Sequence, residues 1–269
     1  MWQSVAKAIG ALTAGDDAAR QYDIAAERIQ SALLQVTLPK VSGLDVGVHA
    51  EPARLVGGDY IDVFSRGPHL LFGLGDASGK SLGAAINALM LRYLLRGLIQ
   101  VLGHEQLAAI VRHTNDVVIE DLDETDYFIT LLVGTLDADT GALKVVNAGH
   151  EPPLVLRQDA TDIDVLWQHG IVLGVERHAK YIVQETTLQP GDRAVFYTDG
   201  LTEATNERGE LFTVERLREQ FLEHRYLAAQ QLADTLFDDV KAYSNDNMRD
   251  DATILVVRRV GADLAHEPG

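Results

Sequence analysis

From Leu44 onward the sequence breaks into short apolar runs: LDVGVHA, YIDVF, HLLFGLG, YFITLLVGTLD, LKVVNAG, PLVLR, YIVQETTL, RAVFYTD and TILVVRR. Several alternate with period two, which places successive side chains on opposite faces of a half-buried strand. Helices are expected at 81–102, 105–122, 213–224 and 228–243. A helical pair thus interrupts a largely meandering series of strands, and more helices gather near the end. Strands clustered in this way point to α+β layers and away from a doubly wound parallel sheet. No repeat, low-complexity tract or internal linker divides the series. One domain over 39–260 is expected, with 1–38 as an N-terminal segment and 261–269 as a tail. With 46% hydrophobic residues, a chain of 269 can build a sizeable core.

Ahead of the strands, residues 16–36 place Tyr22, Ala26, Ile29, Leu33 and Val36 at alternating spacings of four and three, a helix with one apolar seam that Pro39 ends. Two heptads are too few to assert a coiled coil. The seam packs on its own domain, forms a homodimer, or relays a signal from a partner. The start, MWQSVAKAIGALTAGDD, has no basic segment followed by an apolar block, so no signal peptide is expected. The apolar stretch 81–102 is interrupted by Asn87, Arg92 and Arg96. It falls short of the roughly 20 uncharged residues of a membrane span and reads as buried against protein. The 40 Asp and Glu against 23 Lys and Arg leave a formal charge of −17, which disfavours nonspecific binding to nucleic acid or anionic membrane. The chain has no cysteine. Disulfides and thiolate metal sites are therefore excluded, and a cytoplasmic location is expected.

The stretch FGLGDASGKSLGAA over 72–85 looks at first like a phosphate loop, but its spacing is wrong. Gly75 has three residues before Gly79-Lys80-Ser81 and Gly73 has five, where four are needed to wrap backbone N–H groups around a phosphate. Lys80 and Ser81 read as loop-shaping residues at a helix start. Asp76 in the same loop would repel a bare phosphate unless a cation lay between them. Other acids border strands in the same manner: Asp59 and Asp62 in GGDYID, Asp199 in FYTDG, Asp250 and Asp251 in RDDATILVV. Two carboxylates about 4 Å apart repel by ~4 kcal/mol at an effective dielectric near 20, so a converging group must take up protons or bind metal. Oxygen-only ligands favour Mg²⁺ or Mn²⁺. Asp and Gly also dominate ordinary turns, and composition and spacing stop at an acidic α+β domain with a candidate divalent-cation site.

Taken in order, ARLVGGDYID, GLGDASGKSLGAA, NAGHEPPLVL, YTDGLTEATN and DDATILVV resemble the metal-dependent serine/threonine phosphatases (PPM, protein phosphatase 2C-like) in their bacterial SpoIIE/RsbU branch. The match runs from about residue 24 to 258. It implies a β-sandwich flanked by helices in α-β-β-α layers, with an N-terminal helix and a cleft for two Mn²⁺ or Mg²⁺ ions at one end. Asp59 and Asp76 would ligate the ions, with Asp59 bridging, together with the backbone carbonyl of Ala77. Asp199 and Asp250 would complete the second ion's shell. Asp251 is expected in a supporting or turn-forming place, and Asp62 belongs to the motif without an assigned role. Arg54, five residues before Asp59, would grip the substrate phosphate. Ser78 stands where broader members of the family carry a histidine, and His150 reads as structural.

The resemblance implies hydrolysis of phosphoserine or phosphothreonine on a partner protein, usually a STAS-domain anti-sigma-factor antagonist, by a metal-activated water. The alternative is a catalytically idle phosphoprotein-binding module. Ala77, Ile61 and Ser81 depart from the commonest residues of the motif, but no proposed metal carboxylate is missing. In this family an N-terminal helix pressed on the paired helices often controls activity. The matching segments are 24–36, 81–102 and 105–122, with an upstream sensor or activator expected on another protein or a longer parent chain.

Overall fold

The computed structural model describes residues 36–54, 57–78, 82–122 and 127–261. The helix expected before Val36 lies outside the described residues, as do Lys80 and Ser81. In chain order the elements are β1 (Leu44–Glu51), β2 (Asp59–Arg66), β3 (His69–Ala77), α1 (Leu82–Leu102), α2 (Leu107–Leu122), β4 (Ile129–Asp137), β5 (Ala142–Ala148), β6 (Leu154–Leu156), β7 (Asp164–Val165), β8 (Gln184–Thr187), β9 (Arg193–Tyr197), α3 (Asp199–Thr202), α4 (Thr213–Glu223), α5 (Ala229–Tyr243) and β10 (Ala252–Arg259).

The strands form two five-stranded antiparallel sheets, ordered β2-β3-β4-β5-β8 and β1-β10-β9-β6-β7. In the first, β2–β3 and β4–β5 are hairpins, the α1–α2 pair links β3 to its neighbour β4, and β8 joins from farther along the chain. In the second, β1 pairs with β10 over its whole length, from Leu44 opposite Arg259 to Glu51 opposite Ala252. Period-two alternation supplies both faces of each sheet. On β3, Leu70, Phe72 and Leu74 enter the core between the sheets, whereas Leu71 and Ala77 face α1 and α2. On β10, Leu255 and Val257 point between the sheets, and Ile254 and Val256 join the core under α4 and α5. Across the sandwich the rings of Phe72 and Phe196 meet at 4.5 Å between centroids. The layers are therefore α-β-β-α, as the resemblance implies.

Helix α1 is only half buried, where the sequence reading had it buried against protein. Ala84, Ala88, Leu91, Leu95 and Ile99 line its inner face, while Tyr93 and Val101 on the outside are exposed. By length and composition alone Gly83–Leu102 could cross a membrane. Its two arginines are spent on the sheet instead. Arg96 grips Asp62 of β2 with both prongs, Nε to Oδ2 at 2.6 Å and a terminal nitrogen to Oδ1 at 2.7 Å, and Arg92 donates to the Ile61 carbonyl at 2.7 Å. Such bidentate charge-assisted bonds are directional as well as strong. Asp62 is thus the post to which α1 is tied, which gives this motif residue a structural role.

Smaller departures have local causes. Only Gln184–Thr187 of YIVQETTL pairs as a strand, because Tyr181 turns into the core under α1 and α2. The strand expected from Tyr127 begins at Ile129. β7 and α3 are too short to leave a periodic signal.

On the outer face of the second sheet, α5 lies directly on β1 at Gly47. A Cβ there would come within 2.3 Å of the Gln230 backbone nitrogen and 2.4 Å of the Ala229 carbonyl. Backbone cannot yield as a side chain can, so Gly47→Val should destabilise the protein by about 1–3 kcal/mol, the usual cost of overpacking. Urea unfolding checks this; a midpoint matching the parent's would show that α5 can lift off β1 freely.

Candidate metal centre

Antiparallel register sets the first part of the site. β2 and β3 pair so that Asp59 stands directly opposite Asp76, at the end where β3 runs on to Ala77. The Ala77 N–H donates to the Gly58 carbonyl at 3.1 Å. Gly58 lets the two strands close here: a Cβ on it would lie 2.4 Å from the Ala77 carbonyl oxygen and 2.8 Å from Asp76 Oδ1. A bare peptide edge thereby faces one carbonyl and one carboxylate. Asp76 itself is partly exposed, and its N–H donates to Thr130 Oγ1 at 3.2 Å.

Asp59 is buried, and the opposite sheet holds its carboxylate. Thr198 Oγ1, just past β9, donates to Oδ2 at 2.9 Å, and Thr253 Oγ1 on β10 donates to the same oxygen at 2.6 Å. The two threonines also bind each other: Thr253 N–H donates to Thr198 Oγ1 at 3.0 Å, and Thr198 N–H to the Thr253 carbonyl at 3.1 Å. Burial pushes the Asp59 carboxyl well above its ordinary range, and the neighbouring Asp76 and Asp251 carboxylates push it further; the two hydroxyls only partly oppose this. A protonated acid or a bound cation relieves the conflict.

The other predicted acids fall around this pair. Asp199 opens the short helix α3, and the next residue, Gly200, packs on the backbone of Asp250 and Asp251, so the two strand-end motifs meet although fifty residues separate them. Asp250 Oδ1 accepts the Asp251 N–H at 3.1 Å. Asp251 turns inward and clamps the β1–β2 connection, accepting the Ala53 N–H at 2.9 Å and the Gly58 N–H at 2.8 Å. That is the supporting place expected of it. Arg54, next to Ala53 in the clamped loop, is exposed. Among the described residues, no three His, Asp or Glu side chains stand in a ready-made metal-binding set. The arrangement is a pair, Asp59 and Asp76, with Asp199 and Asp250 at its margin. Carboxylate oxygens and a carbonyl suit a hard divalent cation in their chemistry.

Several supporting residues escaped the sequence reading. Thr198 and Thr253 adjoin recognised acids, but a threonine beside a strand end carries no signal of its own. Glu151 lines a cavity of about 30 Å³ with Thr130, Gly149, His150 and Asp199. Its carboxyl is raised by burial first, then by Asp199 and Glu203. His150 is structural, as its place before two prolines suggests. Asn147 brackets its backbone, Oδ1 accepting the His150 N–H at 2.7 Å and Nδ2 donating to the His150 carbonyl at 2.9 Å. The ring's Nδ1 lies 2.9 Å from Thr130 Oγ1, the same hydroxyl that receives the Asp76 N–H. The Asn-Ala-Gly-His turn thus buttresses the strand end that carries Asp76.

The family model for stage II sporulation protein E (SpoIIE) matches residues 66–260. Phosphoserine phosphatase RsbU of Bacillus subtilis is 28% identical over 239 residues, which are 89% of this chain and 70% of that protein. Among solved structures, the RsbU and RsbW domains of Rv1364c from Mycobacterium tuberculosis superpose with a TM-score of 0.71 at 26% identity, covering 89% of this chain and 64% of that one. The catalytic domain of the serine/threonine protein phosphatase PstP, in complex with two manganese ions, shares the fold at 16% identity, with a TM-score of 0.60 over 81% of this chain and 99% of that one. The fold is that of the protein phosphatase 2C-like domains. Within that class, the chain belongs to the SpoIIE family.

Burial lowers the His150 imidazole from 6.5 to about 4. A folded-state pKa below the unfolded one means stability that is present above pH 6.5 and is lost as pH falls through 4. The loss should reach about 3 kcal/mol at 1.36 kcal/mol per unit. Urea unfolding of the parent and His150→Asn between pH 7 and pH 4 checks this, because the difference between the two profiles isolates this group. Parallel profiles would show that the ring gains water or a partner on protonation.

Proposed function

We propose that the chain is a phosphoserine/phosphothreonine protein phosphatase using two Mn²⁺ or Mg²⁺ ions. One observation carries the reading: Asp59 and Asp76 face each other across a strand pair whose end also presents the Ala77 carbonyl, with the Asp59 carboxyl raised by burial first and then by Asp76 and Asp251. Asp59, Asp76 and the Ala77 carbonyl would hold the cations, with Asp199 and Asp250 completing the set. Bound divalent cations lower the pKa of a coordinated water and neutralise phosphoryl oxygens during in-line attack. The chain's own contribution is placement. Thr198 and Thr253 hold one oxygen of Asp59, Thr130 holds the Asp76 backbone, and Asp251 holds the loop of Arg54. From that loop the Arg54 guanidinium would orient the substrate phosphate through paired N–H bonds.

The substrate in this reading is a phosphorylated STAS-domain antagonist within a partner-switching pathway. Similarity to RsbU, and to a chain that joins an RsbU domain with an RsbW domain, supports that context. An upstream activator would act through the N-terminal segment, and a homodimer through that segment is the other use of its seam.

The acids should serve turnover at the expense of metal-free stability. A raised folded-state carboxyl favours folding below the unfolded pKa and disfavours it as pH rises through the folded value. Asp59→Asn keeps the acceptor for both threonines and removes the charge. It should raise the metal-free protein's stability at neutral pH by at least about 1 kcal/mol, or roughly 2–4 °C in Tm, while Mn²⁺-dependent hydrolysis of para-nitrophenyl phosphate is lost. A variant that keeps turnover within twofold of the parent would sink the metal assignment. Arg54→Ala should instead lower kcat/KM by roughly tenfold to a hundredfold, about 1.5–3 kcal/mol for a lost charged contact. Unchanged steady-state kinetics would return Arg54 to the solvent-exposed surface.

A further inference from the structure

The end of the sandwich that carries Asp76 also carries exposed apolar side chains. Ser78, two residues beyond Asp76, exchanges two hydrogen bonds with Phe128: its N–H donates to the Phe128 carbonyl at 2.9 Å, and its Oγ accepts the Phe128 N–H at 2.9 Å. The next residue, Ile129, exchanges backbone bonds with Leu173 at 3.2 and 2.8 Å. Val172 fills the space over Gly149, beside the turn of His150 and Glu151. Residues 170–176 therefore run along the site end of β4 and β5.

This segment is anchored at both ends. The Gly170 N–H donates to the Asn147 carbonyl at 2.7 Å. On α2, Asn115 accepts the Gly174 N–H at 3.0 Å and donates to the Glu176 carbonyl at 2.9 Å. Held in this way, the segment buries Leu173 completely yet leaves Ile171 38% and Val175 56% exposed, beside Tyr127 at 40% and Phe128 at 42%. Single exposed apolar residues are ordinary on any protein. Four of them on two hydrogen-bonded segments, at the strand end that carries Asp76, make a rim, and rims of this kind mark interaction sites.

We infer that Tyr127, Phe128, Ile171 and Val175 dock the polypeptide on either side of a phosphoserine. The inference rests on the phosphatase reading above and extends it to the neighbours of the phosphorylated residue. A phosphate engaged by cations at Asp59 and Asp76 would bring its flanking residues over Ser78, and so over Phe128 and the segment paired next to it. At long range the chain's charge of −17 repels an acidic phosphoprotein. Beyond the contacts to the phosphate itself, short-range burial of uncharged side chains is an attraction that opposes this repulsion, and the rim supplies it. Apolar residues beside the phosphoserine are therefore preferred.

The test uses three substrates with Mn²⁺ present: para-nitrophenyl phosphate, a phosphoserine peptide with leucines flanking the phosphoserine, and the same peptide with serines in their place. The parent should prefer the leucine peptide by about tenfold in kcat/KM, chiefly through KM. Ile171→Ser with Val175→Ser, and separately Tyr127→Ser with Phe128→Ser, should reduce that preference to about twofold or less, with ester hydrolysis unchanged. Thermal melting establishes that each pair is folded, and either pair suffices to decide. Equal parent rates on the two peptides overturn the inference, as does a preference that survives in the variants. An ester rate that falls in step would make the rim a support of the cleft. Faster turnover of both peptides by the variants would mean that the N-terminal segment or a second copy covers the rim, which also overturns it. Failure of the phosphatase reading shows separately, as a parent that hydrolyses none of the three substrates, and the inference falls with it.

Discussion

One buried carboxylate joins the two sheets at the end of the sandwich where the site lies. Asp59 belongs to β2 in one sheet, and the hydroxyls that hold it, from Thr198 and Thr253, belong to the other. Hydrogen bonds to a charged group are among the stronger polar interactions in a protein, and their strength grows where water is excluded. The same exclusion makes the charge itself costly, and Asp76 across the strand pair adds repulsion. Attraction and cost thus act on the same atoms. Sandwich closure and the cost of the Asp59 charge are two consequences of one arrangement, and a change at Asp59 is expected to move both.

Around that point each supporting contact fixes one direction of freedom. Asp251 draws the β1–β2 loop onto the end of β10. Arg96 and Arg92 tie α1 to the middle of β2 through Asp62 and the Ile61 carbonyl. Asn147 shapes the turn that sets His150 against Thr130, and Thr130 receives the Asp76 backbone. The strand that carries Asp59 is also the strand to which α1 is bound. Any rearrangement of α1 is therefore mechanically linked to the Asp59–Asp76 pair.

Much of this was legible in the chain because the signals are local. Alternation located most of the strands, and apolar periodicity located the four long helices to within a few residues, since both depend on which face of an element meets the core. The acids stood out as Asp beside Gly at the ends of apolar runs. Their partners did not, because a threonine hydroxyl or an asparagine amide acquires its role only from what lies across the sandwich. Asp62 illustrates the limit from the other side. It shares a motif with Asp59 and the same residue type, yet it faces α1 and neutralises an arginine.

The sequence by itself determined the alternation of each strand, the helical seams, the absence of thiol chemistry and the inventory of carboxylates. These follow from side-chain chemistry and backbone period and need no knowledge of distant neighbours. The tertiary structure decided that β1 lies against β10 rather than β2, that Asp59 faces Asp76, that Gly200 brings Asp199 to Asp250, and that Thr198 and Thr253 close on Asp59. Some of those pairings join residues more than two hundred positions apart, as Leu44 opposite Arg259 shows. Their choice depends on how two sheets and two helical layers share one packed volume, a collective condition that no short stretch of the chain encodes.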